Sequence, residues 1–190
     1  MPIILTESRS FQEINFSDGS TQRSDYENCK FENCSFVKAN LTDISFMDCV
    51  FSSCDFSLAK IGNTAFREVK FKACKLVGLH FEETSKFGLS AEFDNCVLNL
   101  SSFYKLSLKN CKFSDSSLQE VDFTDADLSK LSLNKCNLAG CVFNNTNLER
   151  ADFRTAYNFT INPMKNRIYK AKFSSINVTG LLDSFNILIE

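Results

Sequence analysis

Nine cysteines, one histidine and 23 carboxylates are the side chains that could carry chemistry in this chain of 190 residues. Clustered thiols are the raw material of zinc sites or of a disulfide framework. Here, however, the cysteines at 29, 34, 49, 54 and 74, and again those at 96, 111, 136 and 141, are separated by multiples of five, and no Cys-x-x-Cys pair occurs. The single histidine, His80, excludes a multi-histidine metal centre and leaves no partner set for a histidine-dependent triad. There is no Gly-x-Gly-x-x-Gly or Walker-type phosphate loop. Carboxylates are plentiful, but paired acid and base chemistry needs a concave pocket to hold them together.

The elements that must position these residues follow from an unusual period. An apolar residue recurs every fifth place from Phe11 to Phe81, with Thr21 as the one polar member, and again from Phe93 to Phe153, displaced by two. Five residues turn an α-helix through about 500°, which scatters side chains around it. On a straight strand, residues five apart point to opposite faces. Only a chain that winds around an interior axis, turning about once per five residues, can bring all of them inside. The repeat therefore predicts a solenoid.

Two places before each centre the residues are mostly small, and all nine cysteines stand there, together with Ala39, Thr64, Ser101, Ala126 and Ala151. Ile14, Ile44, Leu79, Leu106 and Leu131 are larger and predict locally widened coils. Few Gly and Pro punctuate the chain, so its turns are expected to be built from Asn, Asp and Ser.

The segments Ala-Asn-Leu-Thr-Asp (39–43), Ala-Asp-Leu-Ser-Lys (126–130), Cys-Asn-Leu-Ala-Gly (136–140), Thr-Asn-Leu-Glu-Arg (146–150) and Ala-Asp-Phe-Arg-Thr (151–155) closely resemble the repeat unit of the pentapeptide-repeat proteins, and the likeness covers nearly the whole chain. The resemblance implies an all-β fold, a right-handed quadrilateral β-helix in which four pentapeptides make one square coil. The alternation of Phe and Leu centres from Phe93 to Leu128 agrees with an even number of sides. With 28 repeat centres the chain makes about seven coils, a rod about 34 Å long if coils stack at about 4.8 Å. Cysteines twenty apart, such as Cys29 and Cys49, would then stack with parallel Cβ vectors, a poor geometry for bridging. The nine thiols read as small, reduced core residues. With no long apolar run and no export signal at the N-terminus, the expectation is a cytoplasmic protein that neither enters a membrane nor needs a cofactor or metal.

The chain is read as a single solenoid domain, with an N-terminal cap strand over 1–10, a first run over 11–81, an interruption over 82–92, a second run over 93–153 and a C-terminal cap over 154–190. The interruption offers a candidate partner-binding loop in Glu82, Glu83, Lys86, Phe87 and Leu89. It is either a bulge tucking Phe87 and Leu89 onto the coil or a loop projecting them. In the tail, Leu181, Leu182, Phe185 and Leu188 have helix-like spacing and predict a short helical cap, with either a monomer or a dimer joined through it.

A filled, convex rod points to a non-enzymatic protein-interaction scaffold. The family resemblance adds a second reading, since the chain is similar to members that protect DNA gyrase and topoisomerase IV from quinolones, rod-like dimers joined at their C-terminal ends that imitate duplex DNA. A 34 Å length of duplex carries about twenty negative charges, whereas here 23 acidic residues are offset by 21 basic ones. The densest acidic stretch, Asp115, Glu120, Asp122, Asp125 and Asp127, is the candidate DNA-like patch, and Lys105, Lys109, Lys112, Lys130 and Lys135 lie on the same coils. A net charge of −2 without a basic patch argues against direct nucleic-acid binding.

Overall fold

The structure is a computed structural model that describes residues 4–17, 24–85 and 88–188. The chain winds as an all-β, right-handed, four-sided solenoid whose strands pair in parallel, each with its counterpart one coil away. One side carries a seven-stranded sheet of β2 (Ser10–Gln12), β4 (Lys30–Glu32), β6 (Val50–Ser52), β8 (Val69–Lys72), β9 (Ala91–Asp94), β10 (Cys111–Ser114) and β11 (Leu133–Asn134). We call this the first face. The fourth face, which closes each coil, carries a four-stranded sheet of β1 (Ile4–Glu7), β3 (Ser24–Glu27), β5 (Ser45–Met47) and β7 (Ala65–Arg67). The second and third faces are built from single bridges such as Ser35↔Asp55 and Ser102↔Asp122.

Register is set by twenty-residue coils, so identical centres stack. Phe31 lies on Phe51 with ring centroids 4.6 Å apart, Phe36 on Phe56 at 4.4 Å and Phe81 on Phe103 at 4.5 Å, all with nearly parallel planes. Rings on adjacent faces meet edge to face, as Phe103 does with Phe113 at 5.9 Å and 89°. Between 93 and 128 the Phe centres occupy the first and third faces and the Leu centres the second and fourth, the arrangement the sequence alternation predicts.

The small inward position has a second function besides fitting. The ladder leaves the carbonyl of many centre residues pointing into the core, where an unpaired acceptor is costly. The side chain 23 residues later donates to it. Cys54 Sγ donates to the Phe31 carbonyl at 3.5 Å, Cys74 Sγ to that of Phe51 at 3.4 Å, and Cys96 Sγ to that of Phe71, 25 residues back across the interruption, at 3.4 Å. Thr64 does the same for Leu41, Ser101 for Leu76 and Thr146 for Phe123, at 2.8 to 2.9 Å. Cysteine, serine and threonine alternate in this slot because each is small and carries one donor.

The corners differ from the expectation. Many are formed by non-glycine residues at φ of 48° to 64°, among them Leu58, Glu68, Leu100, Lys105 and Lys130 as well as Asn and Asp. The left-handed conformation costs a residue with a Cβ about 1–2 kcal/mol. It is held because the corner N–H bonds to the next coil, as in Asp48 N–H to the Arg67 carbonyl at 2.9 Å and Lys130 N–H to the Glu149 carbonyl at 2.9 Å. The corner therefore does not need turn-forming residue types.

The C-terminal segment forms no α-helix among the described residues. The expected short cap is built from two 3-10 helices, Val178–Leu181 and Asp183–Phe185, which close the end. Gly180 is pressed onto the last coil, where the Ile161 N–H donates to its carbonyl at 2.9 Å and an added Cβ would lie 2.1 Å from the Phe159 carbonyl oxygen.

Candidate functional site

The interruption lies on the fourth face, between β7 and the Leu108 coil. From Phe81 to Phe93 the chain takes twelve residues where two pentapeptides would take ten, a surplus of two. Phe81–Glu83 forms a 3-10 turn, Ser85 N–H donates to the Thr64 carbonyl at 2.9 Å and Ser90 N–H to that of Phe66 at 3.1 Å. Leu89 is 4% exposed, and its carbonyl accepts from Cys111 Sγ at 3.7 Å. That is the bond a centre residue receives elsewhere, so Leu89 fills the vacant place in the fourth-face column between Phe66 and Leu108. Lys86 and Phe87 lie outside the described residues.

Glu83 is exposed. Glu82 is half-buried, and its Oε1 meets His80 Nδ1 at 3.0 Å while its Oε2 is enclosed with no hydrogen-bond partner among the described residues. Of the candidate loop, then, the structure turns Leu89 inward and Glu83 outward. Among the described residues no group of His, Cys, Asp or Glu is placed to hold a metal ion.

The five carboxylates of the acidic stretch are not brought together on one face. Asp115 follows the first-face strand β10, Glu120 stands at the corner after the second face, Asp122 and Asp125 flank the third and Asp127 lies on the fourth. They ring a single coil. Lys135 Nζ is 3.5 Å from Asp115 and Lys109 Nζ 2.9 Å from Asp127. Partial burial works against ionisation of Asp127, but hydrogen bonds from Lys109 and Ser129 hold its carboxyl below the ordinary range. Asp125 Oδ1 accepts from the Asn145 amide and Asp122 Oδ1 from the Thr124 N–H.

Above the interruption a cleft of about 690 Å³ opens between the fourth and first faces, lined by Lys109, Lys112, Lys130, Cys111 and Leu131. Lys112 pairs with Glu92, whose carboxyl is lowered chiefly by that hydrogen bond. Leu131, one of the large residues in the small slot, is buried beside it. In the cap, Leu181 packs partly against the core and Leu182 is half-buried, whereas Phe185 is 51% and Leu188 95% exposed.

All nine cysteines are buried at the inward slot. Burial pushes the Cys49 and Cys136 thiols up to about 11 and those of Cys111 and Cys141 to about 12. Cys74, hydrogen-bonded to Cys54 and Cys96 in one column and desolvated, is also raised. Protonated, enclosed thiols are poor nucleophiles and poor ligands.

The repeat, the four-sided winding and the slot chemistry define a β-solenoid. The model of the pentapeptide repeat region matches residues 20–88 and 89–181, and the chain belongs to that family. No curated protein sequence matches it significantly. Among solved structures it is similar to HetL, a pentapeptide repeat protein involved in heterocyst differentiation regulation from the cyanobacterium Nostoc sp. strain PCC 7120. That likeness has 13% identity and a TM-score of 0.68, over 90% of this chain and 86% of that one. It is also similar to full-length QnrB1, a plasmid-mediated fluoroquinolone resistance protein, at 16% identity and a TM-score of 0.47, over 96% of this chain and 100% of that one. No helix among the described residues is long and apolar enough to cross a membrane.

Proposed function

We propose that the protein is a non-enzymatic scaffold that binds another protein through the flat sides of its rod, in the cytoplasm. The observation that carries this reading is the surface itself: a filled core whose outward side chains stand on a rigid grid, one coil every ~4.8 Å, fixed by the ladder. Such a surface is preorganised for a protein partner, and its buried thiols suit a reducing compartment.

A second reading, protection of a type II topoisomerase by imitation of DNA, draws support from one feature. Residues 1–128 hold nineteen acidic and thirteen basic side chains, so that part of the rod is net negative. The carboxylates do not line one side, however, and cations such as Lys60 and Lys105 share the third face with Asp43 and Asp125. A supercoiling assay with purified gyrase and a fluoroquinolone separates the two. Under the scaffold reading the protein leaves inhibition unchanged at micromolar concentration; restored supercoiling would establish the topoisomerase reading in its place. The exposed Phe185 and Leu188 of the cap are where an end-to-end partner copy would pack under that second reading.

A further inference from the structure

The fourth face has a charge pattern that the linear sequence conceals. Its layers stack through Ile4–Glu7 on Ser24–Glu27 and Ser45–Met47 on Ala65–Arg67, and beyond the interruption through Ser107↔Asp127, Asp127↔Asn147 and Asn147↔Arg167. The four pentapeptides before the interruption (4–8, 24–28, 44–48 and 64–68) carry five carboxylates and one arginine. The four after it (106–110, 126–130, 146–150 and 166–170) carry five cations and two carboxylates. The interruption sits midway, with four layers on each side.

We propose that this face is a self-recognition surface, on which a second copy of the chain docks side by side and antiparallel. The two-fold axis would cross the interruption at the Leu89 layer. In that arrangement a layer at a given distance below the axis meets the layer at the same distance above it, about 5, 10, 14 and 19 Å away along the rod. Glu68 then faces Lys109, Asp48 faces Lys130, Glu27 faces Arg150 and Glu7 faces Lys170. All of these except half-buried Glu27 are exposed, and Asp48, Glu68, Lys130, Arg150 and Lys170 are corner residues at positive φ that share one edge of the face.

A two-fold axis lying across the rods keeps this edge against its own equivalent in the partner, so opposite charges meet there. Parallel packing would instead set acid on acid and cation on cation. Lys130 and Arg150 make no ion pair within the chain among the described residues, and neither do Asp48 and Glu68. Arg67 and Glu149 oppose the pattern, since they fall near Lys109 and Glu27 of the other copy, and Asp127 is occupied by its own Lys109. A face five residues wide and nine layers long offers about 650 Å² per copy, somewhat under the ~800 Å² of a standard interface. The dimer is therefore weak and salt-sensitive.

The test is sedimentation equilibrium of the full chain at 20 mM and 500 mM salt, with three proteins. One is the wild type, the second is Asp48→Lys with Glu68→Lys, and the third is Lys109→Glu with Lys130→Glu; far-ultraviolet circular dichroism confirms that each is folded. The expected result is a wild type with twice the mass of the chain at low salt that returns to monomer at high salt, two variants that are each monomeric, and an equimolar mixture of the two variants that regains the doubled mass. The mixture decides, because only side-by-side antiparallel pairing lets one reversal compensate the other. A wild type that is monomeric across the concentration range at low salt overturns the proposal. So does a dimer that persists at high salt and in both variants, which would place the interface at the cap.

Discussion

The donor in the inward slot makes a clear demand at the level of single residues. Replacing Cys74 by serine keeps a small donor 23 residues beyond Phe51, as Ser101 and Thr64 already provide elsewhere, and should change stability by less than about 1 kcal/mol. Cys74→Val removes the donor, leaves the Phe51 carbonyl unpaired and should cost about 1–3 kcal/mol by urea denaturation. Equal effects of the two would show that size alone governs the slot. The same thiols link stability to pH. Folding raises Cys49 and Cys136 from an ordinary 9.0 to about 11, and Cys111 and Cys141 to about 12. The unfolded chain therefore loses those protons first as pH rises. Their contribution is complete below pH 9 and disappears between pH 9 and about 12, so the melting temperature at pH 10.5 should fall below that at pH 8 by on the order of 10 °C. A flat profile over that interval would mean that the thiols ionise freely in the folded state. Alkylation of the native protein with iodoacetamide at pH 8 should likewise be slow for all nine.

Among the elements, the interruption and the cap show where reading from sequence stops. The five-residue period gave the inward positions of both runs, because a winding chain repeats its environment at each side. It could not choose between Phe87 and Leu89 at the break: both are apolar, and only the ladder from Ser85 and Ser90 and the Cys111 bond identify Leu89 as the column residue. Leu89→Ala should accordingly cost about 2–5 kcal/mol, as for other buried leucines. Deleting residues 83–91 should abolish the single cooperative transition, since it removes a core residue and one side of a coil; a deletion variant that unfolds as sharply as wild type would return the segment to the status of a surface loop. In the tail, Leu181, Leu182, Phe185 and Leu188 have a helical spacing, but spacing carries no information on the contact that holds Gly180 against Phe159. Gly180→Ala forces a Cβ into a backbone carbonyl, so we expect it to free the cap, seen as loss of amide protection at Ile161, whose N–H bonds to Gly180, while the first-face amides stay protected.

At the scale of the molecule, the acidic stretch illustrates a general difficulty with solenoids. Asp115 to Asp127 are neighbours in the sequence, but the chain passes from the edge of the first face round to the fourth between them, so a run of like charge is spread over several sides. A face is read instead at intervals of twenty, and only there do Asp48 and Glu68 on one side of the break, and Lys130, Arg150 and Lys170 on the other, become columns. The same twenty-residue register governs how the chain can change length. An insertion of twenty residues after Leu128 adds a storey and leaves every later side chain on its own side of the building. An insertion of five turns everything beyond it by a quarter, carrying Arg150 and Lys170 from the fourth face to the first. The two extra residues before Leu89 do neither, because they are taken up within one side before the ladder resumes at Ala91. For this protein the arithmetic of a length change, more than the identity of the residues added, decides whether its surface survives.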